Sequence, residues 1–311
     1  MFKLKHYVQE IARVGSFSQA AANLYVSQPS LSASIKRLET QIGEPLFDRS
    51  CHPVALTRCG QEYLRAARQI DMAEEDFTAF LEEYRSCATG KLIIGGSNLN
   101  ISFVLPSLLE RFVREYPGIE LELVEGNIAQ LQQFLAEGRV DLVMDSCEMD
   151  PQHFRSYLYR EETLILAVPT AFPCNTDAAH YALSWDHIRS GWHRDAATPA
   201  LPLALLGDSP FISMTPETDT SQRVQLICAD SDFTPNTILS FSQQSTAFNM
   251  ACAGLGFTFI SDTLVKNARF RPDLVFYKVG SPESYRHIKV FVNAARRMSY
   301  AVKAFLEIAK S

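Results

Sequence analysis

No run of apolar residues in this chain approaches the roughly twenty needed to cross a bilayer, which excludes a membrane-spanning reading of the sequence. The opening segment, MFKLKHYVQEIARV, has neither a continuous apolar stretch nor a small-residue cleavage site, so the expected location is the cytoplasm. Metal-ligand spacing is missing too. The seven cysteines, at 51, 59, 87, 147, 174, 228 and 252, are odd in number, never stand as C-x-x-C and have no histidine at ligand spacing. Reduced, mostly buried thiols are expected, with no metal. Catalytic signatures are absent as well: no G-x-S-x-G elbow, no P-loop, no H-E-x-x-H and no G-x-G-x-x-G after a strand. Neither an enzyme nor a cofactor is expected.

What is present begins with a 47% hydrophobic content over 311 residues, enough for two or three modest domains with real cores. The net charge of −6 is unevenly spread. Residues 1–60 hold seven Lys or Arg against four acids, a net +3, which leaves −9 on the remainder. A cationic head on an acidic body points to a polyanionic partner for the head.

The head reads as three helices and a hairpin. Leu4, Tyr7, Val8, Ile11 and Val14 recur at three- and four-residue steps and make one apolar stripe, which Gly15 ends. Ser16 and Ser18 can cap a second helix carrying Ala20, Ala21 and Leu24, small enough for close approach of a neighbour. Ser27 can cap a third, with Pro29 in its first turn and Gly43 and Pro45 after its end. Leu31, Ile35, Leu38 and Ile42 form its buried seam. At about 100° per residue, the opposite face holds Pro29, Ser32, Ala33, Lys36, Arg37 and Thr40, with Gln28 and Ser30 at the tip. That face has hydroxyls, an amide and two cations but no acid before Glu39. Such groups suit a major groove, where Gln reads adenine edges and a helix N-terminus attracts phosphate. Residues 45–57 read as two short apolar runs around a polar tip, a wing that offers Arg49 and His52 to the DNA backbone or minor groove.

Phe17-Ser18, Ala20-Ala21, Leu24, Ser27-Gln28-Pro29, Leu31-Ser32, Ile35, Leu38-Glu39, Gly43, Leu46-Phe47, Arg49, Leu56-Thr57 and Gly60 together resemble the amino-terminal signature of LysR-type transcriptional regulators. Many members of that family carry arginine directly after the recognition-helix serine, where this chain has Ala33. Base readout then leans on Gln28, Pro29, Ser30 and Ser32, with Ser18 and Ser27 also at the DNA, Lys36 and Arg37 on the backbone, and Arg49 and His52 at the backbone or minor groove. The resemblance implies a multidomain α+β chain: a winged helix-turn-helix (1–58), a linker or dimerisation helix with a hinge (59–90), and an α/β, periplasmic-binding-protein-like effector domain of two lobes (91–311). Lobe I would comprise 91–165 and 268–311, and lobe II 166–267.

Between residues 58 and 85, Tyr63, Ile70, Phe77 and Tyr84 recur every seven residues, a seam for a homodimer, and 86–90 reads as the hinge. The next segments alternate strand and helix, as in parallel βαβ units: strands at 91–96, 119–124, 140–144, 162–168, 210–214, 237–241, 256–261, 274–279 and 288–293, helices at 105–116, 128–137, 220–230, 245–253 and from about 299. Polar residues directly after strands are the ligand candidates of such a fold: Ser97, Asn98, Asn100, Asn127, Ser146 and Ser213. No basic residue lies among them, so a carboxylate ligand would need backbone N–H groups or a cation such as Arg155 or Arg160. Residues 170–209, with Trp185, His187, Trp192, His193 and Arg194, form a long segment that roofs the pocket, covers a lobe or makes a surface insertion with its own small core.

The function implied is a sequence-specific regulator on double-stranded DNA, a homodimer or homotetramer, whose promoter binding or recruitment of RNA polymerase responds to a small-molecule effector. A solute-binding protein would not need residues 1–86, and a purely structural nucleoid protein would not need a two-lobed pocket. The effector, the operator and the choice between activation and repression stay open.

Overall fold

The computed structural model describes residues 1–51, 53–84 and 90–310, with the side chains of 79, 80 and 82–84 excepted. Two compact units result, Met1–Leu81 and Glu82–Ser311.

In the first unit, α1 (Lys5–Val14) ends at Gly15, whose φ of 65° lets its N–H return to the Ile11 carbonyl. Ser16 caps α2 (Phe17–Asn23) by accepting from the Gln19 N–H, and Ser27 caps α3 (Gln28–Ile42) by accepting from the Ser30 N–H. The turn between them holds Tyr25 at φ 55°, in the left-handed region, with its side chain 97% exposed. Strands β1 (Phe47–Asp48) and β2 (Ala55–Leu56) pair antiparallel to make the wing. Helix α4 (Arg58–Tyr84) follows. Val8, Ile11, Ala20, Ala21, Leu31, Ile35, Leu38, Leu46 and Phe47 pack into one core. Tyr63 belongs to that core as well: it is buried, stacked on Phe2 and donates to the Met1 carbonyl at 3.1 Å. Its aromatic ring therefore serves the head rather than an exposed seam. Ile70 is half-buried and Phe77 exposed, while the Tyr84 side chain and the expected hinge at 86–89 lie outside the described residues.

The second unit begins with β3 (Gly90–Gly96), a π-helical turn (Asn100–Val104), α5 (Leu105–Glu115), β4 (Ile119–Glu125), α6 (Ile128–Glu137) and β5 (Leu142–Asp145). Next come β6 (Phe154–Pro169), α7 (Cys174–Asp177), α8 (Trp185–Arg189), β7 (Pro210–Met214), α9 (Asp219–Asp230) and β8 (Asn236–Phe241). The chain closes with α10 (Gln244–Cys252), β9 (Thr258–Ser261), α11 (Asp262–Asn267), β10 (Leu274–Lys278), β11 (Tyr285–Asn293) and α12 (Tyr300–Lys310). Strand β3 is parallel to β4 and β5, and β7 to β8, as the alternation of elements predicts. The sheet is nonetheless mixed, because β6, β10 and β11 run antiparallel. Strand β6 is sixteen residues long: its first part pairs with β11 and its second with β9 and β10. The sequence shows only the apolar second part. The first part, Phe154 to Glu161, is mostly exposed or half-exposed and carries no continuous apolar signal.

Residues 170–209 cover a lobe; they neither roof the pocket nor stand as a separate insertion. Trp185, Ile188, Leu201, Leu203 and Leu206 are buried in the two clusters that form the core of the β9 and β10 side of the sheet, so the segment has no core of its own. His193 is wholly buried, its Nε2 3.0 Å from Asp262 Oδ2, and Arg194 and Lys266 each reach the same oxygen at 2.7 Å. Burial alone would raise the Asp262 pKa, but His193, Lys266 and Arg194 outweigh it and hold the carboxyl well below its usual range.

Two stability predictions follow from these positions. A non-glycine residue in the left-handed region costs about 1 kcal/mol, and asparagine tolerates it best, so Tyr25→Asn raises the melting temperature of the chain's first unit by a few degrees. Because the folded pKa of Asp262 is depressed, its stabilisation is complete above the ordinary carboxylate range and is lost as pH falls through the folded value. Asp262→Asn therefore lowers stability at neutral pH, by about 3 kcal/mol for a broken buried charge cluster, and flattens the acid limb of a pH–denaturation curve.

Candidate nucleic-acid interface and interlobe cleft

Helix α3 presents an exposed tip of Gln28, Pro29 and Ser30, with Lys36 and Arg37 on the same helix and Ser32 half-buried. Ser18 is exposed on α2, and Ser27 is exposed but engaged as the α3 cap. Lys36 makes no ion pair among the described residues, whereas Arg37 donates to Ser34 at 3.3 Å. Glu39 does not oppose a polyanion. Its Oε1 accepts from the backbone N–H groups of Leu46 (2.9 Å) and Phe47 (3.3 Å), and its Oε2 from Arg49 at 3.0 Å. The one acid bordering the face thus tethers the start of the wing. Arg49 is held by Glu39 and lies over the Phe17 ring at 4.9 Å, so it is a fixed cation rather than a free one. His52 lies outside the described residues. Tyr25, almost fully exposed between α2 and α3, is a further candidate that no apolar period or charge pattern could reveal.

The second unit contains a cleft of about 440 Å³. Four of the six candidates line it: Ser97 and Asn98 beyond β3, Asn127 capping α6, and Ser146 beyond β5. Opposite them stand Thr218, which caps α9, with Asp219 and Thr220, and Ser242, Gln243 and Gln244 at the start of α10. Three helix N-termini therefore face one space. Asn100 is behind the wall, 1% exposed, donating to Ser97 at 3.0 Å and to Asp145 at 3.5 Å. Ser213 does not line the cleft; its hydroxyl donates to the Met214 carbonyl at 2.9 Å.

Arg155 and Arg160 are not the cleft's cation. They reach the Arg296 carbonyl and the Thr263 hydroxyl instead. The cation is Arg286 on β11, which donates to Glu162 at 2.5 Å, to Asp219 at 2.9 Å and to Thr220 at 3.0 Å. Burial alone would disfavour its charge, but Glu162 and Asp219 reverse that and raise its pKa. Sequence reasoning missed it because it sits within a strand, not beyond a strand's carboxyl end. Glu162 also accepts from the Ser261 hydroxyl, and Gln244 ties Thr220 (2.7 Å) to the Ser261 N–H (2.8 Å). Two hydrogen bonds bridge the cleft: Ser245 to Asn98 at 3.0 Å and Gln243 to Glu125 at 3.3 Å.

The lining has four carboxylates, Glu125, Asp145, Glu217 and Asp219, against one guanidinium. Three helix N-termini add roughly +0.5 each, about +1.5, which leaves the cleft negative. Cys147, also in the lining, is pushed far up by burial and by Asp145, so it is held as a thiol and not as a nucleophile. No cluster of His, Cys, Asp or Glu suited to a metal occurs among the described residues. The site can bind through hydroxyls, amides and carboxylates.

Comparison with known proteins covers both units. Residues 2–61 match the model of the bacterial regulatory helix-turn-helix protein, lysR family, and residues 87–311 match that of the LysR substrate binding domain. An uncharacterized HTH-type transcriptional regulator of Bacillus subtilis, YcgK, is 30% identical over 308 residues, 99% of this chain and 93% of its own length. Among solved structures, a variant of full-length OxyR from Pseudomonas aeruginosa superposes with a TM-score of 0.72 at 19% identity, covering 100% of this chain and 94% of that one. Full-length CbnR in complex with its target DNA gives 0.65 at 18% identity, covering 100% and 99%. No described helix is long and apolar enough to cross a membrane. A capped recognition helix with its wing, followed by a two-lobed α/β unit with a polar cleft, is thus matched along nearly its whole length, and the chain belongs to the LysR family of DNA-binding transcriptional regulators.

Proposed function

We propose that this regulator works in the cytoplasm as a homodimer, pairing further into a homotetramer, and binds an imperfect palindrome through paired α3 helices. A small molecule in the interlobe cleft alters the set of the lobes and so changes which DNA sites are held and whether RNA polymerase is recruited. The observation that carries the reading is the α3 face: an exposed amide, hydroxyls and a lysine without an ion pair among the described residues, with its bordering acid turned inward to the wing. Gln28, Pro29, Ser30 and Ser32 read bases, Ser18 and Ser27 contact the backbone, Lys36, Arg37 and Arg49 supply charge, and His52 meets the backbone or minor groove.

Self-association is supported by two strand edges, β4 and β8, that carry exposed Leu123, Ile238 and Leu239, with Val113 and Leu226 exposed on the adjoining α5 and α9. Along α4, Ile70, Phe77 and Tyr84 remain the proposed pairing seam, without Tyr63. In the cleft, Ser97, Asn98, Asn127 and Ser146 contact the effector directly, and Asn100 acts by orienting Ser97. The negative lining favours a small polar ligand that is neutral or cationic over a carboxylate. Its two bridges are single hydrogen bonds, about 1 kcal/mol each, which a ligand's differential affinity can outweigh.

A genomic footprint of the protein supplies the operator, and two variants test the assignments. Gln28→Ala costs about 1–3 kcal/mol of operator affinity and relaxes one base position. Lys36→Ala weakens all sequences alike and makes the fall of log affinity with log salt shallower by roughly 0.9 for each phosphate it no longer neutralises. Unchanged affinity in both, measured by fluorescence anisotropy, refutes the α3 assignment. Ser97→Phe fills the cleft: it leaves operator binding without effector intact and abolishes the metabolite-dependent change in reporter output, and a retained response moves the effector elsewhere.

A further inference from the structure

A second cavity of about 420 Å³ lies outside the cleft. Its apolar walls are Phe103 from the π-helical turn, Phe248 from α10 and Leu264 from α11; Arg269, Phe270 and Arg271 form its rim, and Ser245 and Asn249 add polar groups. We propose that it is a separate binding site for a small amphipathic anion, an aromatic or aliphatic body carrying one carboxylate, and that Arg269 and Arg271 recognise the charge.

Three observations support this occupant. Arg269 and Arg271 enter no ion pair or hydrogen bond among the described residues, in contrast to Arg189 beside them, which donates to the Ala268 carbonyl at 3.1 Å and lies over the Trp185 ring at 5.6 Å. Asp273, the acid nearest in sequence, makes no ion pair with Arg271; the two act on the Cys252 thiol in opposite senses. Two guanidinium groups therefore remain available for a planar anion, which they bind better than an ammonium would. Phe270 is 62% exposed although its ring packs edge-on against Trp185 at 5.6 Å, an apolar surface left beside those charges. The volume is that of a small-molecule pocket. In charge this cavity is the reverse of the cleft, whose lining is dominated by carboxylates. The two adjoin at one point, since Ser245 lines this cavity and its hydroxyl bonds Asn98 of the cleft. A ligand seated here bears on a lobe-to-lobe hydrogen bond without entering the cleft.

The chain has two tryptophans, so Trp192→Phe in the full-length protein leaves Trp185 as its only indole, in contact with Phe248 and Phe270 of the cavity. Titration with 4-phenylbutyrate, 4-phenylbutanol and 4-phenylbutylamine, matched in shape and different in charge, is read from Trp185 fluorescence. The expected result is saturable binding of the carboxylate about ten-fold tighter than of the amine, with that preference lost in Arg269→Gln/Arg271→Gln while the melting temperature is unchanged. Equal binding of all three, no saturable signal below about 10 mM, or a preference that survives the double variant each overturns the proposal.

Discussion

The effector-binding unit depends on one ion pair. Glu162 and Arg286 are register partners across β6 and β11, at the point where β6 leaves its pairing with β11 and takes up β9. Both are buried, and Arg286 extends the link to Asp219 and Thr220 in the first turn of α9, then through Gln244 to α10. A single buried cation thus joins the strand that crosses both lobes to two of the helix N-termini in the cleft wall. A buried pair of this kind adds little net stability, but removing one partner costs about 3–5 kcal/mol because the other is left uncompensated. The far wall of the cleft is therefore stiff, and the compliant contacts are the two hydrogen bonds across it.

Charge is sorted in both units: the acid beside the α3 face is engaged internally, and in the second unit the carboxylates line one cavity while two arginines border another. Glu39 is occupied by the wing, so it leaves the cations of the α3 face unopposed. In the second unit, the cationic groups that meet the cleft are reduced to one saturated arginine, while two arginines with no ion pair among the described residues border the other cavity. Regulation in such a molecule requires a ligand that binds two arrangements of the lobes unequally. The weak bridges Asn98–Ser245 and Glu125–Gln243 are where such a difference would be felt.

Much of this was legible in the sequence because it is local. Helix caps at Ser16 and Ser27, the glycine stops at 15 and 43 and the apolar periods all act within one turn of chain, and each of the corresponding elements is observed. Four cleft residues were found for a similar reason: in a parallel β unit, residues after strand ends share one edge of the sheet. Ser213 lies within β7 rather than beyond its end and misses the cleft, and Asn100 meets it only from behind. The amphipathic beginning of β6 was hidden because exposed polar residues there give no apolar run.

By itself the sequence determined the family, the cationic head, the caps at Ser16 and Ser27 and the order of the longer strands and helices, since those follow from side chains a few residues apart; α7, α8 and α11 were not read from it. Tertiary structure alone decided that Tyr63 faces the head's core, that residues 170–209 close the second lobe around His193 and Asp262, and that Arg286 is the cation of the cleft. Each of these joins groups about sixty to more than one hundred residues apart, and no pattern along the chain specifies which distant partners a fold will bring within hydrogen-bonding reach.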